Sequence, residues 1–413
     1  MDIAIVVKVF PILSESFVLR MIESLCDEEG VKVTIYATDF VDLELLRKLA
    51  PRLAEEVSRG NLKLRYPKSG VFRVKKGPLT RLVRAGANFL GSPLFVTQLL
   101  IRGIRVRQAL PAASFRRLHR GMTHDVIHAQ FLPVAVSVAA ARLHKATCPA
   151  PLISYVRGFD ISKPTAVSER EMALLLEPLG LASVTCVSRS LARMIEARGM
   201  PAERVEVIYS GIPISRLAFR PPSSRPSGPI RFIQVGRLVR KKGFDLSLKA
   251  LSMLKDMDFE FLIVGQGELE SELRNMAIEL GLTSHVHFAG PLSHDETVNA
   301  ISNSDVMLIP SVTAADGDSE GIPNVAKEAM ALGAICIGSS HSGIPELLDH
   351  GRTGFIFDEG NLSDFVEKLN ETISRRPSWD RIALAARKFV EEEFDATVIS
   401  RKLISHYRRQ QGH

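Results

Sequence analysis

Short apolar runs alternate with stretches of helical periodicity along nearly the whole chain, and this alternation constrains the fold more than any other feature. Residues 3–9, 31–37, 125–128, 152–156, 183–187 and 204–208 form one series of runs. Residues 230–235, 259–264, 285–289, 305–309 and 334–337 form a second. Most are bounded by Gly, Pro or Asp, and helical patterns such as 190–198 and 246–254 fill the gaps. Runs of this kind read as strands buried on both faces, and their alternation with helices as parallel sheets wrapped by helices. The 413 residues exceed the roughly 250–300 that one core holds, so two doubly wound α/β domains are expected. Between the two series, 211–229 carries Pro213, Pro221, Pro222, Pro226 and Pro229 with several Ser and Arg, the composition of a linker. The expected boundaries are 1–212 for a first Rossmann-like domain, 213–229 for the linker and 230–385 for a second domain. Residues 386–413 are expected to form a C-terminal helix packing back toward the first domain. Residues 379–409 read as one or two terminal helices. Two such domains would face each other across a cleft rimmed by strand carboxyl ends, where α/β proteins bind ligands.

Composition narrows the class further. Hydrophobic residues make up 46% and charged residues 24% of the chain, which excludes wholesale disorder. Cys26, Cys148, Cys186 and Cys336 are scattered without a Cys-x-x-Cys pair, and read as reduced core thiols of a cytosolic protein. Asp2 directly follows Met1 with no basic n-region, so no signal peptide is expected. No stretch reaches the ~18–20 apolar residues that span a bilayer. The net charge of +7 hides an asymmetry: residues 57–124 hold fifteen Lys and Arg and no Asp or Glu. Apolar residues are interleaved there, among them Leu82, Val83, Phe89, Leu94, Phe95, Leu99 and Ile101. A basic amphipathic segment of this kind suits an anionic lipid surface, at the inner face of the membrane. A solvated basic surface is the alternative. Nucleic acid is not expected as a partner, because few aromatics accompany the charges for base stacking.

The chemistry-bearing motifs fall at strand ends. Gly236-Arg237-Leu238-Val239-Arg240-Lys241-Lys242-Gly243 follows the run 230–235. A glycine there lets backbone approach a ligand, while the fork of Arg237 and the point charge of Lys242 suit a diphosphate. Glu320-Gly321-Ile322-Pro323-Asn324-Val325-Ala326-Lys327-Glu328 follows the run 305–309 and a polar loop. Pro323 is placed to start a helix reaching Leu332, with Gly333 ending it, and the helix N-terminus offers a phosphate site. Glu320 stays in the loop and Glu328 sits about a turn and a half into the helix. That separation suits hydroxyl hydrogen bonds from the two ends of a sugar nucleotide. Asp316-Gly317-Asp318 is read as a loop and not a metal site. It does not directly follow an apolar strand, and position 12 of an EF-hand count falls on Lys327. Gly265-Gln266-Gly267 lacks the third glycine of a dinucleotide fingerprint and is read as a turn lining the cleft, and no P-loop motif occurs. In the first series His128 ends one run, Arg157-Gly158-Phe159-Asp160 follows another, and Ser14-Glu15 follows the first. No metal or other cofactor is expected.

These motifs together resemble retaining glycosyltransferases of family 4, which have the GT-B architecture. The resemblance rests on the Glu-x7-Glu pattern of Glu320 and Glu328 and on the paired Arg237 and Lys242. It extends to Ser342-Gly343-Ile344-Pro345-Glu346-Leu347 and Gly351-Arg352-Thr353-Gly354, and to a Ser14-Glu15-Ser16-Phe17 start similar to exopolysaccharide and colanic-acid-type members. It implies that Arg237 and Lys242 hold the diphosphate of a UDP- or GDP-sugar, with Gly236, Gly265, Gly290, Gly321, Ile322, Pro323 and Asn324 lining the donor. Glu320 would touch the transferred sugar, Glu328 the ribose, and the backbone near 288–292 the base. His128 would stand beside the reacting sugar, and Ser14, Glu15, Arg157 and Asp160 on the acceptor side, toward a glycan or lipid-linked acceptor. Many members carry His-x-His where this chain has His128-Ala129-Gln130, so the catalytic-histidine position falls on His128 or Gln130. Many also have His-Gly where Arg157-Gly158 stands. No carboxylate pair is placed for double displacement. The leaving diphosphate would then be stabilised by Arg237, Lys242 and the helix N-terminus, and would take the acceptor proton on the same face. Two other readings stay open: a nucleotide-sugar epimerase of the same architecture, and an inactive membrane- or polyanion-binding relative.

Overall fold

The computed structural model describes residues 1–12, 15–67, 93–143, 149–162, 166–254, 257–315, 317 and 319–412. It divides into two compact units. One comprises Met1–Val187, Leu191–Ile208 and Ser400–His413, the other Ser188–Ser190 and Tyr209–Ile399.

The first unit holds a seven-stranded sheet of β1 (Asp2–Phe10), β2 (Lys32–Val41), β3 (Lys63–Arg65), β4 (Val126–Gln130), β5 (Leu152–Val156), β6 (Ser183–Cys186) and β7 (Val205–Val207). The order is β3-β2-β1-β4-β5-β6-β7 and every pairing is parallel. Ile3, Ala4, Ile5 and Val6 are all wholly buried, because helices cover both faces of such a sheet. β2 runs to Val41, past the polar Thr38-Asp39 that ends its apolar pattern, because backbone pairing with β1 resumes at Val9↔Phe40. β3 is a three-residue edge strand with Lys and Arg at its ends, too short and too charged to read from the pattern.

The second unit repeats the plan with β8 (Ile230–Val235), β9 (Phe259–Val264), β10 (Val286–Gly290), β11 (Val306–Ile309), β12 (Ile335–Ser339) and β13 (Phe355–Phe357), ordered β10-β9-β8-β11-β12-β13. Successive side chains leave a strand on opposite faces. Phe232, Val306, Leu308, Ile335 and Ile337 therefore enter one core, and Ile233, Met307, Ile309 and Cys336 the other. β13 adds Phe357, which stacks on Phe365 at 4.1 Å between ring centroids.

Residues 213–229 lie within the second unit. Prolines there lack N–H donors, but their carbonyls close short turns, as in Arg216 N to Pro213 O and Ser224 N to Pro221 O, and side chains add further bonds. Arg387 Nη1 donates to Leu217 O and Ala331 O (2.6 and 2.7 Å), and Ser223 N to Asp380 (2.9 Å). The terminal helices are two, Trp379–Phe394 and Ala396–Gln411. Ser400–His413 belongs to the first unit, where His406 bonds Ser183 (2.8 Å) and Glu206, and Arg409 reaches Glu206 at 2.6 Å. No helix among the described residues is long and apolar enough to cross a membrane.

His119 lies buried among the rings of Phe115, Tyr36 and His124, at centroid distances of 4.9, 5.2 and 5.2 Å, and neither ring nitrogen has a hydrogen-bond partner. Burial, with His124 and Arg142 nearby, pushes its pKa from 6.5 down to about 4. As pH falls through that window the unfolded chain takes up a proton that the folded chain refuses, so stability declines. Chemical unfolding at neutral and mildly acid pH should show this loss in the native protein and a smaller loss in His119→Phe. Equal losses would remove His119 as the cause.

Candidate functional site

The order of the second sheet reverses between β8 and β11: β9 and β10 extend one way, β12 and β13 the other. Ligands of open α/β sheets bind outside the strand carboxyl ends at such a point, and the two motif loops of the sequence begin there. Gly236–Gly243 leaves β8, and Pro310–Glu320 leaves β11. The adjoining loops are laced by backbone hydrogen bonds: Gly236 N to Val264 O, Gly265 N to Gly290 O, Leu238 N to Gln266 O and Val312 N to Lys241 O, all 2.8–3.0 Å. The glycines permit this closeness. A Cβ on Gly265, at φ +138°, would lie 1.9 Å from Gly236 O, and one on Gly243, at φ +63°, 2.0 Å from Pro310 O.

Within this frame Lys242 and Glu320 meet. Lys242 Nζ donates to Glu320 Oε2 at 2.8 Å, and Lys241 Nζ lies 3.9 Å from Oε1. The Lys242 side chain passes over Gly236, where a Cβ would sit 3.1 Å from its Cε. Gln234 Nε2 donates to Lys242 O (2.7 Å), and its Oε1 accepts from Ser247 (2.7 Å). Burial pushes the Glu320 carboxyl up, but Lys242, by charge and hydrogen bond, with Lys241 and His341, holds it below the ordinary range. The backbone N–H of Glu320 donates to His341 Nε2 at 3.3 Å. Arg237 is exposed at the rim of the same loop.

The helix Asn324–Leu332 begins behind Pro323 and ends at Gly333, left-handed at φ +88°, as the motif predicts. Glu328 is 4% exposed on it. The Asn324 side chain accepts from the buried Lys327, whose Nζ also donates to Ser210 O (2.9 and 2.7 Å). Gly321, Ile322 and Pro323 are buried. Gly343 allows its loop to close on them, since a Cβ there would lie 2.7 Å from Ile322 Cγ1 and 3.2 Å from Gly321 O. Glu346 of the same run accepts from the backbone of Arg189 (2.8 Å) and from Tyr209 OH (3.1 Å).

In the first unit the strand ends gather a second group. His128 is wholly buried in β4, its ring stacked on Tyr155 at 5.3 Å and its Nδ1 bonded to Tyr407 OH, while Nε2 has no partner. Burial, then Arg157 and His406, holds its pKa well below the usual imidazole value, so the ring is neutral. Arg157 lies between the rings of Phe17 and Tyr155, at 4.3 and 4.0 Å, and donates to Gln130 Oε1 at 3.2 Å. Burial raises the Glu15 pKa to about 7, against the pull of Arg157. Asp160 is fully buried, and its carboxylate accepts from the backbone of Arg157 and Gly158 (3.0 Å each) and Leu132 (3.3 Å). It thus shapes the loop that presents Arg157.

Ser14, Asp316, Asp318, Cys148 and residues 68–92 of the basic block lie outside the described residues. Among the described ones, no three His, Cys, Asp or Glu side chains group as metal ligands. The motif reading missed Gln234, Lys241, His341 and Glu359. Gln234 is legible as a polar residue inside an apolar strand, and Lys241 adjoins a residue already selected. His341 and Glu359 stand at the ends of β12 and β13, where only the sheet order brings them to the site.

Comparison with known proteins gives the same picture. The family model for glycosyltransferase family 4 matches residues 14–216, and that for glycosyl transferases group 1 matches residues 215–389. A protein of Escherichia coli strain K12 named for colanic acid biosynthesis, the glycosyltransferase WcaL, is 30% identical over 96% of this chain and 97% of its own length. The amylovoran biosynthesis glycosyltransferase AmsK of Erwinia amylovora is 34% identical over 52% of this chain and 54% of its own. The crystal structure of Anabaena HepE in complex with UDP superposes with a TM-score of 0.68, covering 99% of this chain and 100% of that one at 18% identity.

The tightest approach in the frame is testable. Gly265→Ala places a Cβ against Gly236 O in a backbone conformation that L side chains rarely adopt, and should cost about 1–3 kcal/mol or more. Gly281→Ala, also at positive φ (+71°) but with open space around it, should cost less. Equal stabilities in denaturant unfolding would show that the loops can part freely.

Proposed function

Because this chain belongs to the family 4 glycosyltransferases and has their GT-B architecture, we propose that it transfers a hexose, with retention, from a UDP- or GDP-sugar to a membrane-associated glycan or lipid-linked acceptor in polysaccharide biosynthesis. The reading is carried by the meeting of Lys242 and Glu320 where the second sheet reverses, 2.8 Å apart and mostly buried. A cation and a carboxylate so placed match a donor with a diphosphate at one end and sugar hydroxyls at the other. In this assignment Lys242 and Arg237 hold the diphosphate beside the N-terminus of the helix Asn324–Leu332. Gly236, Gly265 and Gly290 bring backbone close to the donor, and Gly321–Asn324 shapes the loop before the helix. Glu320 takes hydroxyls of the transferred sugar and Glu328 those of the ribose. HepE, whose structure holds UDP, and the polysaccharide-biosynthesis names of WcaL and AmsK support the donor class and the pathway class.

The chemistry follows from charge. Negative charge grows on the leaving diphosphate as the glycosidic bond lengthens, so fixed cations stabilise the transition state more than the ground state. A phosphate oxygen freed on the departing face takes the acceptor proton, and the acceptor oxygen enters on that face. Glu15, next to Ser14 in sequence, and Arg157 orient the acceptor, Asp160 holds the backbone of Arg157 and Gly158, and His128 stands beside the sugar. The reaction requires no metal, in keeping with a sequence in which Asp316-Gly317-Asp318 does not directly follow an apolar run.

The acceptor's membrane supplies the second partner. The helix Pro93–Ile101 exposes Leu94 (80%) and Ile101 (79%), with Val106 and the charged Arg102 and Arg120 exposed close by in sequence. Residues 94 and 101 are two turns apart and share one helix face. An apolar ridge among basic residues suits anionic lipid.

Two outcomes test these assignments. Lys242→Ala should lower kcat for hydrolysis of UDP-glucose or GDP-mannose, whichever the unaltered enzyme turns over, about 10²-fold or more. Its donor dissociation constant should change less, and EDTA should leave the unaltered rate intact. Full kcat in Lys242→Ala would refute the diphosphate role, and loss on chelation restored by Mn²⁺ would refute metal independence. In cosedimentation, binding should require anionic lipid, weaken with salt and fall in Leu94→Glu/Ile101→Glu. Equal pelleting on neutral and anionic vesicles would exclude the membrane partner.

A further inference from the structure

The Lys242–Glu320 contact depends on how the Glu320 loop is held, and two residues beyond the motif hold it at both ends. In the chain Thr313 follows β11 and Glu320 precedes the helix Asn324–Leu332. At the start of the loop, Thr313 N donates to Glu359 Oε1 at 2.6 Å. At its end, Glu320 N donates to His341 Nε2 at 3.3 Å. The holders are joined, with His341 Nδ1 3.1 Å from Glu359 Oε2. Thr313 Oγ1 lies 3.5 Å from the same nitrogen. Glu359 is itself fixed by its backbone N–H, which donates to Ser340 Oγ at 3.0 Å.

These contacts set the tautomer. A backbone N–H can only donate, so His341 Nε2 must offer its lone pair to Glu320, and the ring proton sits on Nδ1 facing the Glu359 carboxylate. His341 is 1% exposed, so neither nitrogen can turn to water instead. Burial pushes Glu359 up, but the Thr313 amide and His341 outweigh it and keep the carboxylate ionised.

We propose that His341 and Glu359 are positioning residues of the transfer reaction, a carboxylate–imidazole strap that fixes both ends of the 313–320 loop and sets Glu320 against Lys242. The inference rests on the donor-site reading of Glu320 given above. Neither residue touches the donor in this arrangement; each acts through the Glu320 loop. The strap works only with a neutral ring, because a second proton on Nε2 would set N–H against N–H and release the Glu320 end. The charged groups at the ring are Glu359 from the loop after β13 and Glu320 from the loop after β11, and the Glu320 carboxylate is met in turn by Lys241 and Lys242 from the loop after β8.

The test compares His341→Leu, His341→Gln and Glu320→Gln in the full chain. Hydrogen exchange of the 313–320 segment should accelerate about tenfold in His341→Leu, as one hydrogen bond is lost. Exchange in β8 should not change. In the same variant kcat/KM for UDP-glucose or GDP-mannose hydrolysis should fall about tenfold or more. His341→Gln, whose carboxamide can still accept from Glu320 N–H and donate to Glu359, should restore most of both. Unchanged exchange in His341→Leu would overturn the strap. So would faster exchange with activity unaltered. Full activity of Glu320→Gln would instead overturn the underlying reading of Glu320, while the exchange result would still stand or fall by itself.

Discussion

A carboxylate that loses most of its water must find positive charge or take up a proton, and Glu320 finds it in Lys242 and Lys241. The pair is worth little as a source of stability, since desolvation offsets much of the attraction. Its consequence is geometric: a loop from β8 and a loop from β11 must converge within hydrogen-bond distance. β8 and β11 are neighbours in the sheet although 70 residues of chain separate their ends. The remaining features of the second unit serve that convergence. Glycines let backbones meet where a Cβ would collide, Gln234 anchors the Lys242 backbone, and the His341–Glu359 pair anchors the Glu320 loop.

The first unit shows the same economy with a different outcome. Its sheet also delivers polar groups to strand ends, but most are spent on one another. Asp160 serves three backbone amides, Tyr407 caps His128, and Arg157 is held between two aromatic faces. These contacts hold the side chains against one another, with His128 Nε2 left unpartnered. Arg157 and Glu15 belong to this group, the guanidinium lying between the rings of Phe17 and Tyr155 and the carboxyl raised in pKa by burial.

Legibility differed between elements for physical reasons. The strands β1, β5, β8 and β9 were readable because most of their residues are apolar and buried, with only single polar residues such as Lys8, Ser154, Gln234 and Glu260 between them. β3 and β13 were not: β3 carries Lys and Arg at its ends, and β13 is three residues paired to β12 at the sheet edge. The helix Asn324–Leu332 was readable at both ends, from Pro323 before it and Gly333 after it. The proline-rich stretch 213–229 has linker composition, yet it lies within the second unit, where Arg387, Asp380 and the Leu332 carbonyl bond to its backbone.

Sequence alone determined the alternating α/β plan, the family and the residues of the two motif loops, because periodicity, glycine placement and short motifs are local properties of a chain. It could not determine which loops meet. His341 and Glu359 lie 21 and 39 positions from Glu320 in the chain, and Gln234 lies in the interior of a strand. Their roles arise only when strand order sets β8 beside β11 and β12 beside β13. The partner of a buried charge is likewise decided by tertiary structure, because exclusion of water, and not proximity in sequence, makes Glu320 require a lysine and His341 require a carboxylate.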